Sequence, residues 1–213
     1  MKQSFKLSEV KPRIFFLDFK RSYDMCMTFL RYQEFYESPS PKFRGQFFTL
    51  LEYMDWYCHK YGGGAFTYPK DWAGFNIPGE VVPKIWDHGI LDRNIYDHKM
   101  KMVHEKCLES YPDGKFYLIG AVGTKGAMKH EIAHGFFYTR PDYKQEMSKL
   151  VKSLKPSLKK NINKVLKDIG YTPKVYTDET QAYLSTGVPK GFKLSLKKES
   201  LPFIEVFNRF YKE

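Results

Sequence analysis

The sequence Ala-Met-Lys-His-Glu-Ile-Ala-His-Gly-Phe-Phe, at residues 127–137, contains the residue types of a metal site. His130 and His134 are four positions apart, so on a helix both imidazoles project from one face and can reach one metal ion. Glu131 directly follows the first histidine, which places its carboxylate beside the metal, where a general base must stand. Thr124 is a suitable N-cap for such a helix. The stretch therefore predicts a helix that carries two metal ligands and a base.

This His-Glu-x-x-His pentad resembles that of the zincin metallopeptidases, in which it supplies two zinc ligands and the catalytic glutamate. A catalytic zinc keeps three protein ligands and one open position, so a further ligand must come from elsewhere in the chain. Metzincins carry it as a histidine six residues after the second one, and Arg140 at that position excludes the subfamily. Gluzincins use a glutamate from a later helix, often in an Asn/Asp-Glu-x-x-Ala group, which Asp-Glu-Thr-Gln-Ala at residues 178–182 matches. By this resemblance Glu179 is the third ligand.

The segment that contains Glu179 has the signals of a short helix of about ten residues. Thr177 is a suitable N-cap and Gly187 a suitable end. Thermolysin-like gluzincins usually carry an aspartate four residues after the third ligand, where it orients a ligand histidine. This chain has Tyr183 at that position, so Asp178 is our candidate for the orienting role instead.

The resemblance implies a zinc-dependent peptidase that acts on a peptide or protein substrate. The two histidines and Glu179 would hold zinc (Zn2+), and Glu131 would take a proton from the attacking water and return it to the leaving amine. Tyr138 and Tyr183 are candidates, by position alone, for donating a hydrogen bond to the developing oxyanion, and packing is the alternative interpretation of both. A zinc hydrolase acting on a nonpeptide amide or ester would use the same ligands.

The segments around the two motifs fit this interpretation. Residues 115–122 predict a strand that leads into the metal helix, similar to the edge strand of zincin folds, although an ordinary core strand would have the same sequence. Residues 142–154 and 156–169 have apolar stripes at helical spacing and predict a hairpin that returns the chain, so that Glu179 meets the histidines. Alternating apolar residues at 192–196 indicate a short strand before a closing helix at residues 202–211.

The first half of the chain predicts a mixed region with little further chemistry. Residues 14–19 form an apolar run typical of a buried strand, and residues 21–36 and 45–61 have helical spacing. Residues 65–90 contain glycine, proline and aromatic residues too densely for a helix, so they predict a loop that either fills the core with rings or lines a cleft. The whole chain is expected to be a single α+β domain, mostly helical with a small sheet, with a mixed N-terminal lobe at residues 1–110 and a metal-site lobe at residues 111–213.

The charge leaves a second function open. The formal net charge is +11, and residues 144–174 hold nine lysines against Glu146 and Asp168. Such a segment can attract nucleic acid, an acidic partner or an anionic membrane, but it lacks arginine and can also be the solvated face of a helical hairpin. The alternative to a peptidase is therefore a basic nucleic-acid-binding or interaction protein with a structural or absent metal site. A structural zinc normally has four protein ligands and is rich in cysteine, which favours the peptidase.

Sequence features also indicate the compartment. No segment approaches the 18 or more apolar residues needed to span a bilayer, and the N-terminus lacks the apolar core of a secretory signal. Cys26, Cys58 and Cys107 are widely spaced and form no Cys-x-x-Cys pair. We therefore expect buried thiols and a cytoplasmic protein. The oligomeric state is left open.

Overall fold

The computed structural model describes residues 4–88, 92–123, 128–188 and 196–213, and within them it shows an α+β protein with four strands and ten helices. The predicted fold class, mostly helical with a small sheet, is confirmed. The chain divides into two compact units, residues 1–125 and 126–213. The first unit contains β1 (Phe5–Lys11), β2 (Ile14–Phe19), α1 (Ser22–Glu37), α2 (Leu50–Lys60), α3 (Tyr68–Asp71), β3 (Gly74–Pro78), α4 (Val81–Trp86), α5 (Ile95–Ser110) and β4 (Tyr117–Ala121). The second unit contains α6 (Met128–Thr139), α7 (Pro141–Ser153), α8 (Pro156–Asp168), α9 (Tyr176–Thr186) and α10 (Lys197–Lys212).

The sheet of the first unit has the strand order β1-β2-β4-β3. β2 and β4 are parallel, and the two outer strands pair antiparallel to them. The predicted strand before the metal helix is confirmed as β4, but the prediction that it is an edge strand is wrong. β4 is hydrogen-bonded on both sides, and its residues 117–120 are all buried. An uninterrupted apolar run is typical of such an interior strand, and it does not reveal how many neighbours the strand has.

The outer strand β3 forms within residues 65–90, where the sequence had predicted a loop. Two of the rings in this stretch, Tyr68 and Phe75, are buried in the core, whereas Trp72 is half-exposed. The core of the unit continues onto α1, which lies directly against β4. A Cβ atom at Gly120 would come within 2.3 Å of the Phe29 ring, so this close approach of helix and strand requires glycine.

The second unit is organised around α9, which packs against α6, α7, α8 and α10. The two helices of the predicted hairpin are confirmed as α7 and α8, but each packs against α9 rather than mainly against the other. Gly187 ends α9 with a positive φ of 126°, as expected of a glycine at a helix end. Thr177 is not the N-cap, because α9 begins at Tyr176 and Val175 occupies the cap position without a side-chain hydrogen bond. The buried side chains come from all five helices, for example Ile132, Phe136, Met147, Leu166, Ala182, Phe203 and Phe207.

Some predictions fall outside the part of the chain that the structure describes. These are Thr124 as the cap of the metal helix and residues 192–195 of the possible last strand. The closing helix, α10, begins at Lys197, five positions before the predicted start. All three cysteines are free, and Cys26 and Cys107 are buried. Of the helices described, none is both long enough and apolar enough to cross a membrane.

Candidate metal centre

The three predicted metal ligands meet where α6 packs against α9. His130 and His134 lie on α6 and Glu179 in the first turn of α9, and their ligand atoms all lie within 4.8 Å of one another. The two histidine Nε2 atoms are 3.2 Å apart. Glu179 Oε1 lies 3.6 Å from His134 Nε2, and Oε2 lies 3.9 Å from His130 Nε2. Two donors that bind one zinc at 2.0–2.1 Å in tetrahedral geometry are about 3.3 Å apart. The cluster therefore fits a metal ion after a small contraction.

The local sequence explains why the two helices bring these side chains together. On α6, the residues beside the histidines are mostly apolar and buried. They include Ile132, Ala133 and Phe136. α9 contributes the small residue Ala182, which is fully buried. Small residues at a helix interface allow close approach, and the same interface buries His134 and Glu179. The ligands thus lie at the polar edge of an otherwise apolar contact.

Asp178 holds the ring of His134. Its Oδ1 atom lies 2.9 Å from His134 Nδ1. A carboxylate accepts hydrogen bonds, so Nδ1 is the nitrogen that carries a proton, and Nε2 faces the other ligands. This is the contact expected of a carboxylate that orients a metal-binding histidine.

Thr186 makes the corresponding contact to His130. Its Oγ1 atom donates a hydrogen bond to the carbonyl oxygen of Ala182 at 2.7 Å and lies 3.3 Å from His130 Nδ1. Because the threonine proton is used on the backbone, the hydroxyl oxygen accepts from His130 Nδ1. Both histidines are thus held at Nδ1, and both present Nε2 to the same point.

Gln181 supports this arrangement through hydrogen bonds to three neighbouring groups. Its side-chain amide nitrogen donates to Asp178 Oδ1 at 2.9 Å and to the carbonyl oxygen of Ala133 at 3.3 Å. Its amide oxygen accepts from the hydroxyl of Tyr143 at 2.8 Å. Gln181 is completely buried, so one side chain links α6, α7 and α9 immediately behind the ligands.

The electrostatics of the two histidines differ. Burial lowers the pKa of His134, but the charges of Asp178 and Glu179, together with the hydrogen bond to Asp178, outweigh it and raise that pKa well above 6.5. Burial, and then the positive charge of His134, lower the pKa of His130 to about 3. Burial thus favours the neutral form of His130, which is the form of imidazole that binds a metal.

The general base and the tyrosines were also predicted to lie at the site. Glu131 is half-buried on α6, and its charge contributes to the raised pKa values of His134, Tyr171 and Tyr183. The ring centroid of Tyr183 lies 4.6 Å from that of His130. Tyr138 lies one turn after His134 on α6 and is half-buried. The structure thus brings Tyr183 against His130.

Three residues of the site were missed from sequence. Tyr171, in the segment between α8 and α9, has its hydroxyl 3.4 Å from that of Tyr183. Thr186 is seven positions after Glu179, which is two helical turns, so helical spacing could have identified it. Gln181 lies inside the Asp-Glu-Thr-Gln-Ala motif, but nothing in the sequence indicates that it faces α7. Tyr171 precedes the helix and has no periodic relation to the motifs.

Within the described residues, no other group of three or more His, Cys, Asp or Glu side chains is spaced to hold a metal. No protein-family model, curated protein or solved structure matches this chain.

Proposed function

We propose that this protein is a zinc-dependent hydrolase, a small gluzincin-type metallopeptidase that cleaves a peptide or protein substrate. The observation that carries the proposal is the convergence of His130, His134 and Glu179, whose ligand atoms lie within 4.8 Å of one another. Both imidazoles are held at Nδ1 by a neighbouring side chain, so that each Nε2 is directed at the same point. Such preorganised nitrogen and carboxylate donors are typical of metal sites.

The donor set favours a catalytic site over a structural one. Two imidazole nitrogens and one glutamate oxygen form a three-ligand set of the kind used by catalytic zinc, which keeps its fourth position open. Structural zinc is normally held by four ligands and is rich in cysteine. All three cysteines of this chain belong to the first unit, whereas the cluster belongs to the second.

The residues around the cluster supply the remaining steps. Zinc, when bound, acts as a Lewis acid and makes hydroxide available near neutral pH. Glu131 takes the proton of the attacking water and delivers it to the leaving amine. Burial raises the pKa of both Tyr171 and Tyr183, so their hydroxyls stay protonated at neutral pH. A protonated hydroxyl can donate a hydrogen bond to the oxygen that becomes negative in the transition state.

We place the protein in the cytoplasm because its thiols are free.

Metal content tests this proposal most directly. The protein is purified without added metal, and zinc is measured by mass spectrometry in the parent, in His134→Ala and in His59→Ala. His59 is an exposed histidine of the first unit, so it controls for the loss of a histidine. We expect about one zinc per chain in the parent and in His59→Ala, and none in His134→Ala. A parent that takes up no zinc even when zinc is supplied would end the hypothesis.

The peptidase part is tested separately with the zinc-loaded protein. A library of internally quenched peptides is incubated with the parent and with Glu131→Gln. Cleavage by the parent alone supports a peptidase. Zinc binding without cleavage of any peptide, together with turnover of amide or ester model substrates, would instead assign a nonpeptide hydrolase.

A further inference from the structure

Helices α7 and α8 and the segment that follows them expose a dense array of lysines. We call the nine lysines of residues 144–174 the lysine surface: Lys144, Lys149, Lys152, Lys155, Lys159, Lys160, Lys164, Lys167 and Lys174. Eight of them are exposed, and Lys159 is half-buried. The apolar residues Val151, Ile162 and Leu166 of the same two helices are buried in the core of the unit. Each of the two helices therefore packs through its apolar residues and carries its lysines largely outside that packed face.

The charge of this surface is not neutralised by the protein itself. In the part of the chain that the structure describes, no lysine of the surface lies within ion-pair distance of a carboxylate. Of the two acidic residues in the segment, Glu146 is paired with Arg209 of α10, and Asp168 is the last residue of α8.

The arrangement of the lysines opposes helix stability. Lys160 and Lys164 are four residues apart on α8, and Lys164 and Lys167 are three apart, so like charges are neighbours on the helix surface. The first turn of α8 contains no acidic residue, and Lys155 occupies its N-cap position without a side-chain hydrogen bond. Positive charge is unfavourable at the N-terminal end of a helix. Lys167 is favourably placed in the last turn of α8, but Lys155, Lys160 and Lys164 have no such stabilising position. A polyanionic partner would explain why they cluster there.

We propose that the lysine surface binds the phosphate backbone of nucleic acid, without sequence selectivity. α8 has 13 residues and is therefore about 20 Å long, and a duplex carries one phosphate charge per about 1.7 Å of its axis. Several phosphates thus lie within reach of one row of lysines. Lysine is a point charge without the planar fork that arginine uses to recognise bases, which fits contact with the backbone alone.

Two other polyanions fit less well. A helix that lies on a membrane inserts apolar side chains into it, but the apolar stripe of α8 is buried, and Ile169 is the one large hydrophobic residue between positions 144 and 174 that is exposed. An acidic protein would offer carboxylates at irregular spacing, whereas the lysines continue along the whole of α8 and onto α7. The inference does not depend on the metal, since none of these lysines belongs to the cluster.

The test measures binding of a fluorescent 20-base-pair duplex of arbitrary sequence by anisotropy over a series of salt concentrations. The test variant is Lys160→Gln/Lys164→Gln/Lys167→Gln on α8. The control is Lys197→Gln/Lys198→Gln/Lys212→Gln on α10, which removes the same charge from three exposed lysines of the same unit. Zinc content and the thermal unfolding curve of each variant are recorded alongside, so that folding and metal binding are known independently.

We expect the parent and the control to bind with an affinity that falls steeply with salt. The test variant should bind at least tenfold more weakly at low salt. For the test variant, the slope of log K against log salt should be less steep by about two to three, because each lost phosphate contact removes about 0.9 from this slope. Equal weakening in both variants would mean that net charge acts without a defined surface, and would overturn the proposal. Binding to poly-glutamate or to phosphatidylserine vesicles, with none to the duplex at the same ionic strength, would overturn it as well.

Discussion

His130 and His134 can share one ion because their Nδ1 atoms are already engaged. Thr186 accepts from the first ring and Asp178 from the second, which leaves two Nε2 atoms 3.2 Å apart. Of these residues, the sequence predicted the two histidines as ligands, and it made Asp178 a candidate for orienting one of them because Tyr183 occupies the usual aspartate position. Thr186 was within reach of the same reasoning, since residues seven apart on a helix share a face. Gln181 could not be identified in this way, because its contact with Tyr143 depends on which helix packs against α9.

Glu131 allows a prediction at the scale of the single residue. Glu131→Gln keeps the size of the side chain and its capacity for hydrogen bonding but removes the base. Zinc content should stay at the parental level, while turnover of a cleaved peptide should fall by about a hundredfold or more, the usual scale for loss of general base catalysis. Zinc measurement and steady-state kinetics on the same preparation check both parts. Loss of zinc from this variant would show that Glu131 is a ligand and that its proposed function is wrong.

At the scale of elements, one buried amide connects α9, which carries the proposed third ligand, to its neighbours. Gln181 contacts Asp178 on its own helix, the carbonyl of Ala133 on α6 and the hydroxyl of Tyr143 on α7. These are polar contacts inside an apolar interface, where an unsatisfied group costs about 1–3 kcal/mol. They therefore fix the position of α9 relative to α6 more narrowly than apolar packing alone would.

We expect Gln181→Met, which keeps the volume but removes the amide, to weaken zinc binding by about tenfold, since Asp178 loses a hydrogen bond that holds it against His134. The free energy of unfolding of the metal-free protein should fall by about 1–3 kcal/mol, because the Ala133 carbonyl and the Tyr143 hydroxyl lose their partner. Competition with a zinc-binding dye and denaturant titration give the two numbers. The control is Ser200→Ala, which removes a hydroxyl from a buried residue of α10 in the same unit. Equal zinc affinity in Gln181→Met and Ser200→Ala would show that the amide does not position the site.

The elements themselves were predicted unevenly, for physical reasons. Helices such as α7 and α8 have a clear period of buried residues, bounded by Pro141 and Pro156, so the sequence located both within one residue at each end. β3 was missed because its five residues include glycine, asparagine and proline, which disfavour strands, and its stability comes from pairing with β4. For β4 the sequence predicted the strand but not its neighbours. Strand order is set by tertiary pairing, which local periodicity does not report.

At the scale of the whole molecule, metal binding at the proposed site would be linked to stability. The three ligands come from two helices whose motifs are separated by about 45 residues, so a bound ion would join parts of the chain that lie far apart in sequence. A ligand that binds the folded state alone stabilises it by mass action, by about 2.7 kcal/mol when the free ligand is at a hundred times its dissociation constant. All three ligands belong to the second unit, so this stabilisation is expected there.

Glu179→Ala tests that linkage, because it removes the carboxylate that distinguishes a three-ligand site from a pair of neighbouring histidines. For the parent, zinc in excess should raise the midpoint of thermal unfolding of the second unit by about 10 °C or more, given about 4–8 °C per kcal/mol for a unit of this size. The variant should lose nearly all of this shift, since two imidazoles alone leave the coordination incomplete. Glu205→Ala removes an exposed carboxylate from α10 of the same unit and should retain the full shift. If zinc raised the midpoint equally in Glu179→Ala and in the parent, the third ligand would be another group. A shift in neither protein would mean that the convergence of the three side chains does not bind zinc.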